Sequence, residues 1–237
     1  MSADAKRSGR GRRVAAETRR LARIAELLED EYGAPKRRAS RDLIGSLVST
    51  VLSQNTRDAN SGRAYSQLRV RFPTWGDVAD ARPRSIESAI RSGGLARTKA
   101  GRIRTILRSI EREEGSLDLS FLRELPTEEV LDYLRGFEGV GAKTAACVAL
   151  FGLGRDVMPV DTHVHRVVGR LGVIGPGRGP EATFAALRDV VPRGKSLSLH
   201  VNLIRLGRTV CRPRRPGCGE CPLRRLCAHA RGIQKMA

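Results

Sequence analysis

Phe137-Glu138-Gly139-Val140-Gly141-Ala142-Lys143-Thr144-Ala145 is the stretch that decides the fold. It joins a helical pattern from Glu128 to Leu134 to the apolar run Ala145 to Leu150. Two glycines one residue apart let the backbone turn tightly and approach another surface, and a helix opening right after them presents amides with no partner inside the helix. Such a turn can bind phosphate. It can equally be a plain helix connector, and the pattern by itself leaves both readings open. Thr127 suits the N-cap of the first helix, with Glu128 and Glu129 at its positive end.

Outward from this hairpin the chain keeps helical spacing. Apolar residues recur from Leu43 to Leu52, from about Thr56 to Leu68, from Ile86 to Ile90, and at Ile103, Ile106, Leu107 and Ile110. Leu21, Ile24, Leu27 and Leu28 mark an earlier helix that Gly33-Ala34-Pro35 closes, and the next one begins around Arg41. Pro73, Pro83 and Pro126 fall near segment starts, where a missing amide is tolerated. The expected class is therefore all-α, with short turns, little or no sheet and no solenoid repeat. Aromatic residues are only 4% of the 237, so packing must rest on aliphatic helix faces.

Lys and Arg number 44 against 25 Asp and Glu, a formal net charge of +19, which favours a polyanionic partner. Nucleic acid leads; a ribosome-associated protein or an Arg-rich genome gives the same charge. Residues 1–13, with Lys6, Arg7, Arg10, Arg12 and Arg13 among Ser and Gly, offer nothing to bury and read as a disordered basic arm. No stretch approaches the roughly 18 apolar residues of a membrane span, and the first twenty residues lack a signal-peptide core. The protein is expected to stay in the cytoplasm, associated with the nucleoid.

Lys143 lies in the first turn of the second hairpin helix, and the residues after it are nearly all apolar. Burial at the positive end of a helix disfavours an ammonium, so one reading makes Lys143 a neutral nucleophile. The other makes it a surface lysine that touches phosphate. Further on comes Val160-Asp161-Thr162-His163, with Asp161 just before the face Val164, Val167, Val168 and Leu171. An Asp there caps the helix, and a capping carboxylate is fixed in place and held ionised, so it can also serve chemistry.

Cys211, Cys218, Cys221 and Cys227 follow the spacing C-x6-C-x2-C-x5-C. Four cysteines so close in a reducing compartment point to metal-bound thiolates rather than disulfides. Zinc and an iron–sulfur cluster both accept four thiolates, and chemistry alone leaves the choice open. Arg212, Arg214 and Arg215 lie between the first two cysteines, and Arg224 and Arg225 between the last two, so a metal that pins this loop would fix guanidinium groups for a phosphate backbone. Cys147 stands apart in its apolar helix as a small buried hydrophobe.

The run Gly139 to Ala145 followed by Val160 to His163 resembles the helix-hairpin-helix and Gly/Pro-Asp loop of the endonuclease III family of DNA glycosylases. The resemblance extends to Leu52-Ser53-Gln54-Asn55-Thr56, to Ile90-Arg91-Ser92-Gly93-Gly94-Leu95 with Lys99-Ala100 after it, and to the cysteines, covering about residues 20 to 230 in family order. It implies a lobe of six helices carrying the hairpin (36–155), a cluster lobe built from both chain ends (14–35 and 156–230), and a tail (231–237). It also implies that the four cysteines hold a 4Fe-4S cluster and that Lys143 attacks C1′ of the damaged nucleotide to form a Schiff base, with Asp161 stabilising the developing positive charge. Gly139 and Gly141 would meet DNA, and Gln54 and Leu95 match positions pushed into the duplex when a lesion is flipped out. Two departures bear on lesion preference: Glu138 stands where proline is common, and Arg57 precedes Asp58 where an acidic residue often comes first.

The function implied is a monomeric glycosylase with apurinic/apyrimidinic lyase activity on double-stranded DNA, removing oxidised pyrimidines or acting at abasic sites, with no membrane partner. A monofunctional adenine or thymine glycosylase would lack the lysine, and adenine-specific relatives carry a glutamate where Thr50 stands here. A binding module without catalysis would have no use for both Lys143 and Asp161, and an RNA-binding protein would explain the charge alone.

Overall fold

The computed structural model describes residues 3–36, 39–175 and 177–234. Among these the helices run in order α1 (Ala3–Tyr32), α2 (Leu43–Ser53), α3 (Asp58–Arg71), α4 (Trp75–Asp80), α5 (Pro83–Ala89), α6 (Ala96–Glu114), α7 (Thr127–Arg135), α8 (Ala142–Cys147), α9 (Thr162–Leu171), α10 (Pro180–Arg188), α11 (Ser196–Thr209) and α12 (Ala228–Gln234). No strand occurs among the described residues, so the fold is all-α. The chain divides into two compact units, Met1–Arg37 with Asp156–Ala237, and Arg38–Arg155.

The contiguous unit holds α2 to α8. Its core is aliphatic, with Leu47, Leu52, Leu68, Ile86, Ile90, Ile103, Ile106 and Leu107 almost wholly buried. Each such side chain contributes about 1.5–3 kcal/mol on leaving water. Side chains set two of the helix starts. Asp42 Oδ1 accepts from the Gly45 amide at 2.7 Å to cap α2, and Thr74 forms a capping box with Asp77 at α4. Pro83 opens α5, where its missing amide costs nothing. At α7 the expectation needs correcting: Thr127 is the first helical residue, and Pro126 occupies the cap with no side-chain bond. Proline cannot sit deeper in a helix, so it holds the boundary one residue earlier. α8 runs on into a π-helical segment, Val148–Gly152.

The second unit joins α1 to the C-terminal third of the chain. Leu21, Ile24 and Leu28 of α1 pack with Val164, Val167, Val168 and Leu171 of α9 and with Leu199, Leu203 and Leu206 of α11. Polar ties close the ends. Asn202 donates to the carbonyls of Gly33, at 3.1 Å, and of Leu28, while Lys195 pairs with Glu29 at 2.8 Å. Gly33 adopts φ +85°, the left-handed turn that ends α1.

Residues 3–13, expected as part of a disordered arm, continue α1 as helix instead. The packed turns from Leu21 onward supply the nucleus, and extending an existing helix is far cheaper than starting one, even through Ser8, Gly9 and Gly11. The described side chains from Gly9 to Arg12 are exposed, and Arg10 pairs with Asp189 at 3.4 Å. Of the tail expected at 231–237, the part up to Gln234 belongs to α12. Positions 235–237, like the first two residues of the arm, lie outside the described residues.

Candidate active site

The hairpin lies in the contiguous unit, between α7 and α8. Gly139 takes φ +76°, a backbone that demands glycine, and a Cβ there would have to push the Arg102 guanidinium aside. Gly141 differs. Its φ is −83°, a side chain added there would meet nothing within 4 Å, and it caps α8 without any side-chain bond. It leaves the first amides of α8 open to an outside group.

Lys143 follows in the first turn of α8, and its side chain is exposed. The apolar run after it suggests a buried lysine, but only Thr144 and the residues beyond it turn inward.

Arg102 of α6 and Gln54, which caps the end of α2, fasten the hairpin. Arg102 Nη1 donates to Gln54 Oε1 at 2.7 Å, and Gln54 Nε2 donates to Gly139 O and Thr144 Oγ1, both at 3.1 Å. Gln54 is thus engaged within the protein rather than standing free. Leu95, by contrast, is 60% exposed, with φ +50° just before α6. Sequence reasoning misses Arg102 and Thr144, because an arginine and a threonine on helices carry no signal of the partner they will meet.

In the other unit, Asp161 caps α9: its half-buried carboxylate accepts from the Val164 amide at 2.7 Å. Lys143 and Asp161 thus belong to different units, and each is fixed by its own helix start.

Cys211, Cys218, Cys221 and Cys227 line one concavity, together with Arg170, Arg224 and His229. Arg170 shapes its rim, donating to Cys211 Sγ at 3.3 Å, to Arg212 O at 2.7 Å and to Pro213 O at 2.8 Å. Cys227 Sγ donates to Arg170 O at 3.4 Å. Burial, and then the charge of Cys227 and Cys211, pushes the Cys218 thiol above its ordinary value. Burial first, with the other three cysteines adding, does the same at Cys221. Among the described residues no three His, Cys, Asp or Glu converge as ligands of one metal ion. Arg212, Arg214 and Arg215 are exposed on the loop between Cys211 and Cys218. No helix among the described residues is long and apolar enough to cross a membrane.

Comparison with known proteins bears on the family and the fold. Residues 48–193 match the family model of the HhH-GPD superfamily base excision DNA repair protein. The chain is 35% identical to endonuclease III of Thermotoga maritima over 81% of its own length and 86% of the relative's. It is 43% identical to a putative DNA glycosylase of Arabidopsis thaliana over 63% of its own length, and so spans about half, 51%, of that relative. Among solved structures, a non-covalent endonuclease III–DNA complex superposes with a TM-score of 0.76 at 26% identity, covering 92% of this chain and 98% of that one. The matched residues include the hairpin, Lys143 and Asp161, and the chain belongs to the HhH-GPD superfamily of base excision DNA repair proteins.

Proposed function

We propose that the protein is a DNA glycosylase with apurinic/apyrimidinic lyase activity that removes oxidised pyrimidines from double-stranded DNA. The observation that carries this reading is Lys143, an exposed amine at the start of the helix that follows a turn of open backbone amides. Phosphate held by those amides and Gly141 would bring a sugar against the lysine. The unprotonated amine attacks C1′, the base leaves with the electrons of the glycosidic bond, and opening of the sugar gives a Schiff base. Loss of a C2′ proton then expels the 3′ phosphate by β-elimination. Asp161, held by its cap bond, stabilises the positive charge that develops at the sugar. Thr50, whose hydroxyl donates to Ser46 O at 2.7 Å, supplies no carboxylate of the kind adenine excision uses.

Wild-type protein mixed with borohydride and a duplex carrying one oxidised pyrimidine should give a covalent adduct and, without borohydride, a nicked strand. Base release without trapping would favour a monofunctional enzyme. Neither product, despite binding, would leave a binding module.

The four cysteines suit a 4Fe-4S cluster. A single zinc ion needs its sulfurs about 2.3 Å from one point, whereas a cuboidal cluster spreads its four thiolates around its own bulk, as thiols lining a shared concavity can do. Bound there, the cluster would act as a strut, holding Arg212, Arg214 and Arg215 outward for the DNA backbone. Protein purified without oxygen should contain about four irons and as many sulfides per chain. Cys218→Ala should lose them and weaken DNA binding, and stoichiometric zinc in the native protein would overturn the assignment.

A further inference from the structure

Lys99 of α6 is the least expected residue in the core, being only 2% exposed. Its three ammonium protons go to Leu52 O at 2.7 Å, Thr56 Oγ1 at 2.6 Å and Gly93 O at 2.9 Å. None of these partners is a carboxylate. Leu52 O belongs to the last turn of α2, and Gly93 O ends the short 3₁₀ turn Arg91–Gly93, so the cation sits at two carbonyl-rich helix ends, where a positive charge is favoured. Burial, followed by the charge of Arg102, lowers its affinity for the proton. A buried cation is costly to keep, and a leucine or methionine would fill the same space without that cost.

What the cation joins is two exposed turns, each with a left-handed residue at its tip. Asn55 follows α2 with φ +52°, and Leu95 follows the 3₁₀ turn with φ +50°. Asparagine enters this region readily, whereas leucine does so only when the surroundings enforce it. Thr56 strengthens the bridge, since its hydroxyl donates to Gly93 O at 2.5 Å. The Leu95 side chain, apolar and 60% exposed, gains nothing from its position within the free protein.

We infer that Lys99 is a positioning residue, which presents the Asn55 and Leu95 tips as one rigid pair to duplex DNA that is opened at a lesion. The inference rests on the glycosylase reading above. An apolar tip beside an amide suits a gap in the base stack, where one fills the vacated apolar space and the other meets a base edge. Lys99 itself touches no DNA; it removes the entropy that two separate turns would lose on entering the stack.

The test compares wild-type protein and Lys99→Met on an undamaged duplex and on one holding a tetrahydrofuran abasic analogue opposite 2-aminopurine. Wild-type protein should prefer the analogue duplex and raise 2-aminopurine fluorescence. Lys99→Met should bind undamaged duplex as wild type does, lose the preference by about tenfold or more, and fail to raise the fluorescence. A purely structural role would lower both affinities together. Full preference and full fluorescence in Lys99→Met would overturn the inference. Should Lys99→Met fail to fold, Thr56→Val removes one partner of the bridge and should cut the preference by about threefold; an unchanged preference there would overturn it equally. Wild-type protein that shows no preference at all would instead sink the glycosylase reading, and this inference with it.

Discussion

Lys143→Ala is expected to abolish borohydride trapping on abasic and oxidised-pyrimidine duplexes, because no other group at the hairpin can supply the amine of a Schiff base. Binding should survive. The side chain is exposed, so its removal leaves no cavity and no orphaned partner, and the helical fold should melt unchanged. One phosphate contact among many changes affinity by about threefold at moderate salt. Gel-resolved adducts and a binding isotherm on the same preparation separate the two effects. Normal trapping by Lys143→Ala would eliminate this lysine as the nucleophile.

Asp161→Asn is the second large effect and acts from the other unit. Asparagine caps a helix about as well as aspartate, so the bond to the Val164 amide persists and the stability loss is limited to the charge at a helix start, about 0.3–1 kcal/mol. Stabilisation of a developing cation, however, needs the negative charge itself. Single-turnover excision should fall by about a hundredfold or more while the melting temperature moves by a few degrees at most. Excision at the wild-type rate would reduce Asp161 to a helix cap.

Local features are legible in the sequence because local rules govern them. Asp161 as a cap, Gly33 as the end of α1 and the aliphatic faces of α2, α6 and α9 all follow from neighbours within one turn. The hairpin is the instructive middle case. Both glycines are readable, yet only Gly139 is required by its backbone, and the Arg102 side chain packed against it comes from 37 positions earlier in the chain. Lys99 shows the limit: nothing in a run of Arg, Thr, Lys and Ala marks one cation as buried, and only the two turns converging on it do so. The helical arm escapes sequence reasoning for the opposite reason. Its composition suits disorder, and a packed helix beyond it extends order into a stretch with no core of its own.

The unit that carries the cysteines is assembled from segments more than a hundred residues apart: Leu21, Ile24 and Leu28 have their partners at positions 160 to 230. During synthesis these side chains leave the ribosome first and must remain exposed while the whole of 38–155 is made. That intervening unit is contiguous and can complete its core from what has already emerged. The discontinuous unit has to close a loop of that length before its contacts can reward it, so it folds last and slowly. Insertion of any metal at the four cysteines therefore belongs to the final stage of maturation. A chain stalled once residues up to Arg155 have emerged would carry a finished hairpin and an amphipathic α1 whose aliphatic face still awaits its partners, the species most exposed to aggregation and to chaperones.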